Sequence, residues 1–258
     1  AQNSPCLPEA KVQALVTIHG GPVTSDGRQL YSDWYWEPGI ATDNWRFWKL
    51  ESTVPPWDFK PLIATMAAGA VMNVFSTPPF PVETGSPTEL EAFMLNFDWA
   101  SADTLINATT EDYPQSAMEM IAAPHWNDPI LGEFQSAGGK LIVFHGAADP
   151  IFSLKNTEAW YGKLLANNPD AEEFTRLYAV PGMPHGEGGN AADRFDMLGA
   201  LIDWVENGTA PERVEARFRE DNSEASTNAG ATRPLCPWPG VVRYTGADPM
   251  RAASFTCE

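Results

Sequence analysis

The sequence predicts an α/β fold: a partial parallel sheet covered by helices, with an irregular segment before it. Two observations carry this. From about residue 131 an apolar strand pattern and an amphipathic helix pattern alternate twice, which is the signature of parallel strands joined by covering helices. Residues 1–130 show no such alternation and are rich in Trp, Pro and Met. The boundaries drawn are therefore 1–130 for the irregular part and 131–258 for the α/β part with its tail.

In chain order, Pro5 to Ile18 has helical spacing at Val12, Leu15 and Val16, then breaks at His19-Gly-Gly-Pro22. Thr24-Ser-Asp-Gly27 is a turn. Five of the ten tryptophans fall between Trp34 and Trp57, beside Tyr35 and Phe47. Trp57 to Phe75 is apolar enough for a mostly buried helix, stopped by Pro78-Pro79. Ser86-Pro-Thr-Glu-Leu-Glu opens another helix, with Pro87 suited to its first turn. In the second part the pattern reads strand Lys140–His145, helix Ser153–Asn167, strand Phe174–Val180 and helix Ala191–Glu206. Asn167-Asn168-Pro169 stops the first of these helices and Asn207-Gly208 the second. Phe195, Leu198, Leu201, Ile202 and Val205 share one face of the last helix. Two strands cannot form an open sheet covered on both faces, so further strands are expected from outside this sequence.

The 258 residues are 43% apolar and 11% aromatic, ample for a core. With 34 acids against 16 bases the formal net charge is −18, which disfavours nucleic acid or an anionic membrane surface as partner. No run of eighteen apolar residues is present. The opening Ala1-Gln-Asn-Ser-Pro-Cys6 is polar, as expected of a mature or internal start. Cys236 and Cys257 bracket a Pro/Gly-rich tail that a disulfide would order by about 3 kcal/mol on loop-entropy grounds. That leaves Cys6 over, pointing to a partner outside the chain; three free thiols are the alternative.

Candidate chemistry sits at the strand ends. Gly138-Gly-Lys-Leu-Ile-Val-Phe-His-Gly-Ala-Ala-Asp149-Pro delivers an acid, and Phe174-Thr-Arg-Leu-Tyr-Ala-Val-Pro-Gly-Met-Pro-His185-Gly delivers a histidine into a Gly-rich loop. Ligands of open parallel sheets bind outside the carboxyl ends of the strands. Acid then histidine, each just past a strand, is the order of the second and third members of an α/β-hydrolase Ser–acid–His triad. In that role His185 shuttles the proton and Asp149 holds its tautomer. On spacing alone, a structural loop histidine and a turn aspartate before Pro150 fit equally well. His145 is a candidate for lining the same cleft, or a core histidine. Glu187 and Asp193 are fallback acids, but neither follows a strand. No Gly-x-Ser-x-Gly occurs, and no zinc spacing, Asp-rich calcium loop or phosphate loop is visible. Asn107-Ala-Thr and Asn207-Gly-Thr are glycosylation acceptors only in a eukaryotic source.

These segments, with Asp193-Arg-Phe-Asp-Met-Leu-Gly-Ala-Leu-Ile-Asp-Trp-Val-Glu-Asn-Gly208 and the tail Arg233-Pro-Leu-Cys-Pro-Trp-Pro-Gly-Val-Val-Arg-Tyr244, resemble the tannase and feruloyl esterase family. Ala252-Ala-Ser-Phe-Thr-Cys257 fits the same pattern, and Phe75-Ser-Thr-Pro-Pro79 and Cys6-Leu-Pro-Glu-Ala-Lys-Val fit more loosely. The resemblance implies an α/β-hydrolase with a lid inserted between nucleophile and acid. It implies a secreted or periplasmic serine esterase for aromatic acids (feruloyl, galloyl or terephthalate monoesters), with Asp149 and His185 catalytic. The family's serine segment and the calcium loop of its lid are not in this sequence. The serine would come from an N-terminal segment or second chain, with Cys6 as the place for a disulfide link to it, and this chain alone would be inactive. Where the family commonly has a cysteine after the histidine, bonded to one before the serine, Gly186 stands here. That departure keeps a second class open, a non-catalytic aromatic- or glycan-binding module.

Overall fold

The computed structural model describes residues 6–80, 85–122 and 126–258. Up to residue 130 the described residues form helices and loops. These are α1 (Glu9–Gly20), α2 (Asp43–Lys49), α3 (Leu62–Asn73), α4 (Pro87–Asn96), α5 (Ala102–Asn107) and α6 (Ala117–Ile121). The expected first helix begins at Glu9 after Pro8 and runs two residues past Ile18, to a stop at Gly21 in the left-handed region; the start expected at Pro5 lies outside the described residues. Its apolar spacing does not mark a buried stripe: Val12 and Val16 are exposed and His19 is the buried residue. The helix expected over Trp57–Phe75 is shorter, because Pro61 sets its start and Trp57 belongs to a preceding 3-10 turn. The expected Ser86 start is a full capping box: the Ser86 hydroxyl accepts from Glu89 N–H, the Glu89 carboxylate accepts from Ser86 N–H, and Pro87 opens the helix.

From residue 131 the expected alternation is present. A short helix α7 (Gly132–Ser136) leads into β1 (Leu141–Gly146), then α8 (Leu154–Asn167), then β2 (Thr175–Val180). β1 and β2 pair in parallel, from Leu141 opposite Thr175 to Gly146 opposite Val180. Leu164, Phe174 and Leu177 are fully buried with Tyr161 between α8 and β2, so helix and strand close one core layer. Asn168 supports the turn between them: its side chain donates to Leu164 O at 2.7 Å and Pro129 O at 3.1 Å and accepts from Leu131 N–H at 3.0 Å.

The second core layer is built by an antiparallel sheet absent from the sequence reading. Strands β3 (Arg194–Phe195), β4 (Val214–Arg217) and β5 (Thr232–Leu235) pack Val214, Ala216 and Leu235 against Tyr178 and Val180 of β2. The last helix, α9 (Met197–Asn207), starts six residues later than expected. Asp196 is the reason: its carboxylate accepts from Gly199 N–H at 2.7 Å and caps the first turn. The apolar face expected on it is not the one that meets the core. Met197 and Trp204 are buried, while Leu198, Ile202 and Val205 are exposed. In the tail, β6 (Val242–Tyr244) and β7 (Phe255–Cys257) pair antiparallel, and Cys236 is disulfide-bonded to Cys257 with Cα atoms 5.5 Å apart. Cys6 is a free, exposed thiol. Among the described residues no helix is long and apolar enough to cross a membrane.

Candidate active site

β1 and β2 each release their chain at the same edge of the sheet, and one glycine lets the two loops meet. A Cβ on Gly146 would collide with the carbonyl oxygen of Met183 and lie 2.8 Å from that of Pro184. Its absence allows Ala147 N–H to donate to Val180 O at 2.9 Å and Ala148 N–H to Met183 O at 3.0 Å. The loop after β1 is thus laced to the loop after β2, and Asp149 and His185 are brought side by side.

Asp149 Oδ2 lies 2.8 Å from His185 Nδ1. Since a carboxylate can only accept, Nδ1 carries the proton and Nε2 presents a lone pair. Nε2 has no hydrogen-bond partner among the described residues, and the imidazole is 39% exposed. Asp149 is 6% exposed, and its Oδ1 accepts from Ile151 N–H at 2.7 Å and Phe152 N–H at 3.0 Å. Burial pushes the Asp149 carboxyl up, but hydrogen bonds from His145, His185 and these two amides outweigh burial and hold it below the ordinary carboxylate range. The acid is therefore ionised at neutral pH, as a partner for an imidazolium must be.

The other candidates separate clearly. His145 stands at the end of β1 with Nε2 3.5 Å from Asp149 Oδ2, and both ring nitrogens are engaged with protein: Nδ1 is 2.8 Å from Thr157 Oγ1 and Nε2 is 3.0 Å from Phe152 O. Glu187 is exposed, its nearest cation Arg219 at 3.8 Å. The Asp193 side chain is fully buried and committed to the histidine loop, where its Oδ2 accepts from Gly188 N–H at 2.7 Å and from Arg219 at 2.8 and 3.0 Å.

Sequence reasoning missed how the N-terminal part grips this pair. Helix α2 carries three of the contacts. Asn44 Nδ2 donates to His185 O at 3.2 Å, Trp48 stands edge-on to the His185 ring at 5.5 Å, and Lys49 lines a small, water-sized pocket together with Trp34, Glu37 and Asp149. Burial lowers the Lys49 ammonium, and the Asp149 charge opposes that shift. Glu224 fastens α2 in place: one carboxylate oxygen accepts from Asp43 N–H at 2.8 Å and the other from Gly189 N–H at 2.9 Å. Phe152 flanks the imidazole at 5.6 Å. The 181-residue separation of Asp43 and Glu224 left no local signal to find. Two larger cavities, about 560 and 680 Å³, lie apart from the pair and share Leu30, Tyr31, Phe75 and Met118. No group of three or more His, Cys, Asp or Glu side chains able to hold a metal occurs among the described residues.

The chain matches the family model described as tannase and feruloyl esterase over residues 1–258. It is 35% identical over 265 residues to mono(2-hydroxyethyl) terephthalate hydrolase of Piscinibacter sakaiensis, covering 100% of this chain and 43% of that protein. Feruloyl esterase B of Aspergillus niger is 35% identical over 152 residues, 50% of this chain and 28% of that one. Among solved structures, feruloyl esterase B from Aspergillus oryzae superposes with a TM-score of 0.61 at 20% identity, covering 98% of this chain and 46% of that one. Tannin acyl hydrolase from Aspergillus niger gives 0.55 at 20% identity, over 98% and 43%. These likenesses show an α/β-hydrolase fold, and the chain spans about half or less of the length of the proteins it matches. With its whole length matched by the family model, the chain belongs to the tannase and feruloyl esterase family.

Proposed function

We propose that this chain is the acid- and histidine-bearing part of a serine carboxylic-ester hydrolase that cleaves esters of aromatic acids. The observation that carries the reading is the 2.8 Å contact of Asp149 Oδ2 with His185 Nδ1 at neighbouring strand ends, with Nε2 left free. The nucleophilic serine is supplied by a segment outside these 258 residues. His185 Nε2 takes the serine proton as the hydroxyl oxygen attacks the ester carbonyl, and Asp149 stabilises the imidazolium. The proton then passes to the departing alcohol oxygen, leaving an acyl-enzyme. Water, deprotonated by the same nitrogen, releases the acid and restores the serine.

The aromatic preference rests on Trp48 and Phe152, whose rings lie 5.5 and 5.6 Å from the imidazole and offer aromatic surface to a planar acyl group. Residues 1–130, which supply Trp48, act in this reading as the lid over the histidine. The intrachain disulfide supports an exported protein, secreted or periplasmic. Exposed Cys6 is the place for a bond to the serine-bearing segment.

The substrate class is tested on the complete protein with esters sharing one alcohol. Feruloyl, galloyl and terephthaloyl esters are expected to exceed an acetyl ester by about a hundredfold or more in kcat/KM. Equal rates on acetyl and aromatic acyl esters contradict the aromatic assignment. No hydrolysis of any of them leaves the binding-module reading in its place.

A further inference from the structure

His145 is not used by the mechanism above, yet it touches the acid that is. Its side chain is 15% exposed, at the end of β1. A carbonyl oxygen can only accept, so the 3.0 Å contact with Phe152 O puts the proton on Nε2. Nδ1 of the neutral ring then accepts from the Thr157 hydroxyl of α8 at 2.8 Å. The ring is thereby locked between a loop and a helix, with Nε2–H also facing Asp149 Oδ2 at 3.5 Å.

That location matters because the carboxylate is otherwise held at one end. Oδ1 accepts two backbone N–H groups, whereas Oδ2 has only imidazole partners. Torsion about the Cβ–carboxyl bond is soft and broad and turns both oxygens together, so a donor at Oδ2 adds to the two amides at Oδ1 in setting the carboxylate plane. We propose that His145 is a positioning residue: its Nε2–H, divided between the Phe152 carbonyl and Asp149 Oδ2, fixes the carboxylate so that Oδ2 meets His185 Nδ1. The kinetic part of this proposal rests on the ester-hydrolase reading; the structural part does not.

The test is nitrogen-15 NMR of labelled histidine in the complete protein, which reads the tautomer of His185 directly, paired with kcat and KM. Two substitutions divide the ring's functions. In His145→Gln the amide nitrogen reaches the place of Nε2. In His145→Asn it reaches only the place of Nδ1. The Gln variant is expected to keep His185 in the Nδ1–H tautomer, with kcat within about threefold of wild type. The Asn variant is expected to give a mixture of tautomers and a kcat lower by about tenfold or more, with KM little changed. Should the Asn variant fail to fold, Thr157→Val carries the test, since it frees Nδ1 without touching Asp149; the same tautomer shift is expected. A His185 tautomer identical in wild type and in every folded variant overturns the proposal. The expected tautomer shifts in a protein that hydrolyses no ester uphold it and count only against the ester-hydrolase reading.

Discussion

At the residue scale, the pair depends on an atom that is missing. Gly146 is the point where the acid loop and the histidine loop touch, and the groups a side chain would meet are backbone carbonyls that have nowhere to go. Gly146→Ala is expected to cost about 2 kcal/mol, seen as a melting temperature lower by roughly 4–8 °C. A melt unchanged from wild type would show that the two loops are not held at this contact. Asp149 and His185 were legible because each follows a continuous apolar run and is followed or preceded by Pro or Gly. His145 was legible as a neighbour of Asp149 but not in its contacts, since spacing gives no ring orientation.

At the element scale, the strands and the helix with clear periodicity or sharp stops were read to within a residue or two: β1, β2 and α8. The three strands β3 to β5 were missed because two to four residues carry no period to detect. On α9 periodicity says which residues share a side, not which side meets the core, and the buried Met197 and Trp204 lie outside the grouped face. Nor did any local pattern announce the network that holds the loop after His185. There the fully buried Asp193 carboxylate takes one backbone N–H and two guanidinium N–H groups of Arg219, which is itself 23% exposed. Removing the cation leaves a buried carboxylate with a single donor. Arg219→Met is therefore expected to destabilise the fold by about 2–4 kcal/mol in urea unfolding. A loss below about 0.5 kcal/mol would place the loop's support elsewhere, in Glu224 and in Asn222, which donates to Gly189 O at 2.8 Å.

At the scale of the whole molecule, the chain shows a surface that a finished sheet would not. Among the described residues β1 pairs on one side only, Phe144 on it is 47% exposed, and Leu198, Ile202 and Val205 of α9 are exposed on the helix that packs on that strand. An apolar strand and helix face are thus left open together, and in the proposed function this is where the serine-bearing part continues the sheet. The N-terminal helices meanwhile reach the acid–histidine pair through α2, so both parts of the chain contribute to one site. In the proposed function Asp149 and His185 act as a unit on a serine from elsewhere. The most direct test is kcat/KM of Asp149→Asn in the complete protein, measured beside His185→Ala on one aromatic ester. Each is expected to fall by about three orders of magnitude or more, with the double variant little worse than either alone. Near-wild-type turnover in either single variant would contradict it.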